Sequence, residues 1–543
     1  MRRQHSLQEG VQMTVIDLHD VQGNLVKPYG RYGYPLARYG FLRIRSGDAA
    51  RHWLQAVLPH VTTGAPWPDR RAQQYGAAPP LPEATLNLAF SAAGLKAIGV
   101  PEKSLDALPE EFRLGMRGRC DLLGDDGPSA PEHWDPIWQG PAVHVWVSIN
   151  ARSEAALQRQ TAWLQDSLEA TDGGVELLTG HRGPGDDCWQ EAGALTEQGR
   201  VVPREHFGFV DGISDPYFEG CGQPPEHVIG EGKPQRGGNP RDASGWAPLA
   251  TGEFVLGYPD EADEYPLSAL PQILTRNGTF LVYRKLHQNV ASWRRYMSEM
   301  GRNFPGGADA LAASMAGRWP NGAPLSECPD QASADAFMAE LERLREARRL
   351  ATEPAEKARL DKAYACQQQR LKAFNYADDL AGGRCPVGAH IRRTNPRGAL
   401  EYGQEGAFRT PAALTDRRRL LRRGLPYGSS PPETTDADEH GIILMVLNAS
   451  IKRQFEFVQQ KWINYGNDFR LGNERDPLVG NQPLDDAEVP GQPGGHYKIP
   501  GGAQPPWFCA RLPRFVETRG GDYFFLPSLS ALHMLAAGNV DPT

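Results

Sequence analysis

The chain has 543 residues, with 58 Lys+Arg against 66 Asp+Glu and a formal net charge of −8. That balance argues against a general nucleic-acid binder, and no apolar run approaches the ~20 residues a membrane-spanning helix needs. Seven scattered cysteines without a CxxC pair argue against a zinc ribbon or a disulfide scaffold and fit reduced thiols. Arg2-Arg3 has no apolar stretch behind it, so no export signal is read and a cytoplasmic location is expected.

Short apolar strands, each followed by a helical pattern, recur along the chain. Residues 39–45 lead into 49–61, 85–90 into 91–98, and 142–149 into 153–168. In the second half, 279–285 lead into 289–299 and 441–447 into 450–463. Phe41-Leu42-Arg43-Ile44-Arg45 is echoed by Phe280-Leu281-Val282-Tyr283-Arg284. This weak repeat suggests two related α+β halves, each an antiparallel sheet backed by helices. The strand from Ile442 to Leu447 is apolar throughout, so it is expected to be covered on both faces. Residues 219–252, rich in Gly, Pro and charge, read as a long loop. Residues 333–376 read as an inserted helical hairpin with a solvated charged face, turning at Thr352-Glu353-Pro354.

Three segments carry candidate chemistry. The first runs from Cys385 to Arg397 and sets His390 after small residues and before Arg392, Arg393 and Arg397. An imidazole is a good iron ligand, and clustered guanidiniums clamp carboxylates or phosphates. Together they suit a metal-bearing, anionic cofactor. Cys385 is the alternative ligand, but choosing it would leave His390 and the arginines unexplained. The second segment is His206-Phe207-Gly208-Phe209-Val210-Asp211-Gly212, a tight turn that presents Asp211; His206 reads as structural. The third is Arg417-Arg418-Arg419 through Arg422-Arg423-Gly424-Leu425-Pro426-Tyr427-Gly428, whose spacing does not say which arginine turns inward. No GxSxG elbow, HExxH pair or phosphate loop is present.

Taken together, these segments closely resemble the dye-decolorizing peroxidases. Asp20-Val21-Gln22-Gly23-Asn24 is similar to that family's N-terminal signature, and Gly115-Met116 with Leu123-Gly124-Asp125 to its first-half helix and loop. Gly208-Phe209-Val210-Asp211-Gly212 matches the GxxDG motif. Ala389-His390-Ile391-Arg392 with Asn395-Pro396-Arg397 matches the proximal-histidine motif. Arg422 to Gly428 looks like the distal-arginine motif, and Tyr523-Phe524-Phe525-Leu526-Pro527-Ser528 like the closing strand. The motifs fall in family order, although the chain is long for the family and residues 333–376 map onto nothing in it. No C-terminal segment looks convincingly like an encapsulin-targeting tail.

The resemblance implies two ferredoxin-like halves, at residues 1–205 and 206–543, with haem b held mainly by the second. It implies His390 as axial ligand, with Asp468 as the acceptor of its other N–H, and Arg397 paired with a haem propionate. Asp211 would be the distal acid–base, taking a proton from peroxide and returning it, with Arg422 beside it and Arg423 as the runner-up. The implied activity is peroxide-driven oxidation of bulky aromatic donors through a ferryl intermediate. A homo-oligomer is left open. Two other readings stand beside it: a haem carrier, sensor or porphyrin-processing protein of the same fold, and a haem-free interaction protein.

Overall fold

The computed structural model describes residues 16–67, 81–140, 142–183, 185, 187–266, 270–401, 411–484, 494–501 and 505–541; Arg2 and Arg3 lie outside them. Ten strands form one sheet: β1 (Leu36–Ile44), β2 (Ala84–Phe90), β3 (Val145–Ala151), β4 (Val175–Leu177), β5 (Gln190–Gly193), β6 (Thr279–Gln288), β7 (Leu421–Arg423), β8 (Pro426–Tyr427), β9 (Gly441–Asn448) and β10 (Val516–Leu526). The spatial order is β7-β9-β6-β10-β2-β3-β1-β4, with β5 also on β1 and β8 also on β9, and every pairing is antiparallel. The first-half strands and the second-half strands thus form two blocks. One residue pair, Phe90↔Phe525, joins them along the sheet.

The expected strand–helix units are present. α1 (Gly47–Val57) follows β1, with Ser46 accepting from the Ala49 N–H at its N-cap. α2 (Ala92–Ile98) and α3 (Glu154–Glu169) follow β2 and β3, capped in the same way by Ser91 and Ser153. α4 (Val290–Gly301) follows β6. Two elements without an expected counterpart pack with the second half: α5 (Gly307–Ala316) and a hairpin of Gly495–Ile499 with Trp507–Leu512.

The insertion is two helices, α6 (Gln331–Leu350) and α7 (Pro354–Arg370), turning where the sequence placed the break. α6 starts on a capping box between Asp330 and Ser333. Its exposed side carries Arg–Glu pairs three residues apart, such as Arg343–Glu340 and Arg349–Glu346; these solvated pairs add little stability. Ala334, Phe337, Leu344, Leu360 and Gln367 are the residues the hairpin buries. Residues 219–252 are irregular, with short 3-10 turns and two-residue strand pieces at Lys233–Pro234 and Trp246–Ala247. Among the described residues, no helix is long and apolar enough to cross a membrane.

The helix expected at residues 450–463 is present, and its turns at Lys452–Glu456 and Val458–Ile463 are π-helical. π-turns are rare and concentrate at functional sites. Here Glu456 anchors the helix to the first half. It accepts from Arg119 (2.9 and 2.7 Å) and from the Tyr523 hydroxyl (3.0 Å).

One core runs through both blocks. Phe41 of β1 lies against Tyr283 of β6 (ring centroids 5.1 Å) and Phe524 of β10 (6.2 Å), and Tyr39 lies against Tyr283 (5.9 Å). The apolar run of β9, Ile442 to Leu447, is packed on one face and opens on a cavity on the other, so cover on both faces is met only in part. Ile443, Met445 and Leu447 enter the core, while Ile442, Leu444 and Val446 line a cavity. That cavity holds the candidate site.

Candidate active site

A cavity of about 340 Å³ lies in the second half, floored by β9 and walled by the π-helix residues Phe455, Val458, Gln459 and Ile463. His390, Asp211, Arg397 and Arg422 all line it. The first half contributes Gly124, Asp125, Ser129 and Glu205, and the Asp125 carboxylate accepts from the Arg284 guanidinium (3.1 Å).

His390 opens the short helix α8 (His390–Thr394). Its Nδ1 lies 2.9 Å from Asp476 Oδ2. A carboxylate only accepts, so Nδ1 carries a proton, and in the neutral ring Nε2 keeps its lone pair. Nε2 makes no hydrogen bond among the described residues, and the side chain is 25% exposed to the cavity. Asp476 is itself fixed: its Oδ1 accepts from the Leu478 and Val479 N–H groups (2.9 and 3.0 Å). Burial alone would raise its carboxyl; His390, Arg393 and the Val479 N–H outweigh burial and hold it below the usual carboxylate range.

The expectation for Asp468 is corrected by this geometry. Asp468 sits on a 3-10 turn, Asn467–Phe469, that faces the π-helix, and its Oδ2 accepts from the Trp462 indole N–H (3.0 Å). Asp476, eight residues on, reaches the imidazole instead.

The two arginines after His390, counted in the sequence among guanidiniums suited to an anionic cofactor, are instead clamps on the protein's own backbone. Arg393 is fully buried and donates to the carbonyls of Gly388 (3.0 Å), Trp462 (2.8 Å) and Glu474 (2.9 Å). It therefore ties the histidine loop, the π-helix and the segment bearing Asp476 into one unit. Arg392 donates to Asp379 (3.1 Å) and to the Cys385 carbonyl (2.7 Å). Burial pushes the Cys385 thiol up to about 12, which makes it a poor metal ligand.

Arg397 lies over the Phe374 ring, 4.2 Å from its centroid, and donates to the carbonyls of Lys372 (2.7 Å) and Phe374. Arg318, absent from the sequence-based candidates, also lines the cavity and donates to the carbonyls of Gly322 (3.0 Å) and Leu371 (2.9 Å). Neither guanidinium has a carboxylate partner within ion-pair distance among the described residues. Burial lowers Arg318 to about 10 and Arg397 to about 9, and neighbouring arginines add to the effect. Two buried cations paired only with carbonyl dipoles leave this wall short of negative charge. A ligand with two carboxylates would supply it. Of the run 417–419, the buried arginine is Arg419, which also lines the cavity and donates to the carbonyls of Gly232 and Glu231.

Asp211 and Arg422 are brought together. Arg422 Nη1 is 3.8 Å from Asp211 Oδ1, and the side chains are 49% and 55% exposed, so the pair adds little stability. The Gly212 N–H donates to Asp211 Oδ1 (2.6 Å), and Oδ2 has no hydrogen bond among the described residues. Both residues also line a second cavity of about 280 Å³, which His390 does not touch. Arg423 lines the second cavity but not the one that His390 lines: it donates to the Asn24 and Leu25 carbonyls (2.7 and 2.8 Å) and pairs with Asp215 (2.8 Å). His206 is buried and hydrogen-bonded outside the first cavity, as a structural histidine should be.

Residues 20–184 match the family model described as a DyP dimeric alpha+beta barrel domain. The chain is 28% identical over 472 residues to dye-decolorizing peroxidase msp1 of Mycetinis scorodonius, covering 83% of this chain and 76% of that protein. It is 28% identical over 557 residues to the multifunctional dye peroxidase DyP2 of an Amycolatopsis species, covering 95% and 96%. Among solved structures, a dye-decolorizing peroxidase in complex with 2,6-dimethoxyphenol superposes with a TM-score of 0.69 at 23% identity, covering 96% of this chain and 100% of that one. A variant of the enzyme from Pleurotus ostreatus superposes at 0.71, with 23% identity and 96% and 99% coverage.

Proposed function

We propose, because the chain belongs to the dye-decolorizing peroxidase family, that it is a haem-dependent peroxidase using hydrogen peroxide to oxidise bulky aromatic, dye-like donors. The carrying observation is that one cavity is lined both by His390, oriented by Asp476, and by the Asp211–Arg422 pair.

The donor set suits haem b. Among the described residues, no group of three or more His, Cys, Asp or Glu side chains is arranged to hold a metal ion. Iron at His390 would therefore arrive already ligated, as it does in a porphyrin. Arg318 and Arg397 would hold the two propionates, and Ile442, Leu444, Val446 and Phe455 would contact the apolar macrocycle. Bound haem would supply the redox chemistry, taking two oxidising equivalents from peroxide and passing them on singly to donors.

The side chains have complementary tasks in this reading. His390 offers Nε2 to iron, and Asp476 accepts from Nδ1–H, which makes the imidazole the stronger donor. Asp211 Oδ2 takes a proton from the incoming peroxide and returns it to the departing oxygen. Arg422 attracts the peroxide anion and stabilises charge on the departing oxygen. A cytoplasmic setting is part of the same proposal, in keeping with seven cysteines that form no disulfide.

The test is the visible spectrum of the purified protein before and after one equivalent of peroxide. A Soret band that shifts within the mixing time is expected. A Soret band unmoved by peroxide would favour a haem carrier, and no Soret band after expression with ample haem would reject both haem readings.

A further inference from the structure

Asp211 and Arg422 come from segments far apart in the chain, and their ion pair is too exposed to hold its own geometry. Something else must fix where the two charges sit. Asp211 ends a turn that starts at Glu205, and Arg422 lies on β7, paired with Val446 of β9. His206 bonds the turn directly to the Arg422 segment, Asp215 just beyond the turn pairs with Arg423, and Glu205 shapes the turn and ties it to β6.

Glu205 holds the turn closed. Its Oε1 accepts from the Phe209 N–H (2.9 Å), and its Oε2 accepts from the Phe207 N–H (2.8 Å) and from Gln288 Nε2 (2.6 Å). The Glu205 N–H donates to the Phe209 carbonyl (3.1 Å), and the Gly208 N–H donates to the Glu205 carbonyl (2.9 Å). Gly208 has φ +97°, a conformation few other residues adopt. The same carboxylate thus shapes the turn and moors it to β6 through Gln288.

His206 holds the turn to the arginine. Its Nε2 is 2.9 Å from the Tyr427 carbonyl and its Nδ1 is 2.9 Å from Ser430 Oγ. A carbonyl cannot donate, so Nε2 carries the proton and Nδ1 accepts from the serine hydroxyl. Burial lowers His206 to about 4, which favours this neutral form at ordinary pH. Tyr427 belongs to β8, which pairs with β9 as β7 does, so the imidazole fixes the turn to the hairpin carrying Arg422.

We propose that Glu205, which lines the cavity with both carboxylate oxygens already engaged, and His206, which lies outside it, are positioning residues for peroxide activation, setting the separation and aim of Asp211 and Arg422. This rests on the peroxidase reading above.

The experiment compares the haem-loaded parent with His206→Leu, His206→Gln and Glu205→Gln. Glutamine at 206 can still present an N–H to the Tyr427 carbonyl; leucine cannot. Stopped-flow mixing measures the second-order rate of the peroxide-driven Soret change. Hydrogen exchange reports on the 205–212 amides, and a second mixing step measures donor oxidation by the already oxidised protein. His206→Leu and Glu205→Gln should slow the peroxide step about 10- to 100-fold and speed exchange in 205–212. Soret position, haem stoichiometry and the donor step should be unchanged, and His206→Gln should recover most of the rate. Parent-like peroxide rates in haem-replete His206→Leu and Glu205→Gln would overturn the proposal. So would a His206→Gln as slow as the leucine variant. If His206→Leu does not fold, the Glu205→Gln rate decides. A parent with no peroxide response overturns the function and, with it, this role.

Discussion

A carboxylate that only accepts hydrogen bonds dictates which nitrogen of a neighbouring imidazole is left bare, and Asp476 does this for His390. Replacing Asp476 by Asn should therefore weaken haem retention about 10- to 100-fold, measured by haem transfer to apomyoglobin, whereas Asp468→Asn should leave it unchanged. His390→Ala should lose the axial nitrogen altogether; an unaltered spectrum of the iron would refute that assignment. For the other pair, Asp211→Asn and Arg422→Leu should keep haem but slow the peroxide-driven Soret change by on the order of 100-fold or more. His390, Asp211, Arg397 and Arg422 line one cavity, and it was the family resemblance that named them; spacing alone did not separate Arg422 from Arg423. Asp476 and Arg318 were not legible in the sequence. Each stands among other charged or small residues in no recurring pattern, and only the path of the chain decides that one carboxylate goes under the imidazole and one guanidinium turns inward.

At the scale of elements, strand–helix units were readable from periodicity, and the inserted hairpin from its composition and its proline turn. The π-helix was not, because an apolar stripe at i, i+3, i+4 spacing fits both helical forms over two or three turns. What widens the helix is tertiary: Glu456 is anchored to the first half at Arg119, while Trp462 is held through its carbonyl by Arg393. The step between β7 and β8 is similarly set by one backbone position. Gly424 has φ +127°, and an added Cβ would run into the Ile443 carbonyl. Gly424→Ala should cost about 1–3 kcal/mol in denaturant unfolding and turn Arg422 out of register, slowing the peroxide step. A variant with parent stability and parent rate would show that the hairpin tolerates another path.

For the whole molecule, buried titratable groups set the response to acid. His181 packs against Phe41 with its Nε2 unpartnered, and burial, aided by Lys285, lowers it to about 3. Its folded value lies below the unfolded ~6.5, so between those values the unfolded chain binds the extra proton. The stability this neutral side chain provides is therefore complete above pH 6.5 and is lost as pH falls toward 3. Between pH 7 and pH 4.5, the parent should lose on the order of 2 kcal/mol more than His181→Leu. Equal losses in thermal unfolding would place the acid sensitivity elsewhere.

The packing of Phe41 against Tyr283 and Phe524 means that the first half is not a detachable appendage. Phe41→Ala should cost about 3–5 kcal/mol and, although far in sequence from His390, should lower the temperature at which the Soret band is lost. A chain cut near residue 205 would give two fragments, each with half of an aromatic seam facing water. Neither should be soluble alone, yet mixed during refolding they should reassemble by complementation, as two subunits of a dimer find each other.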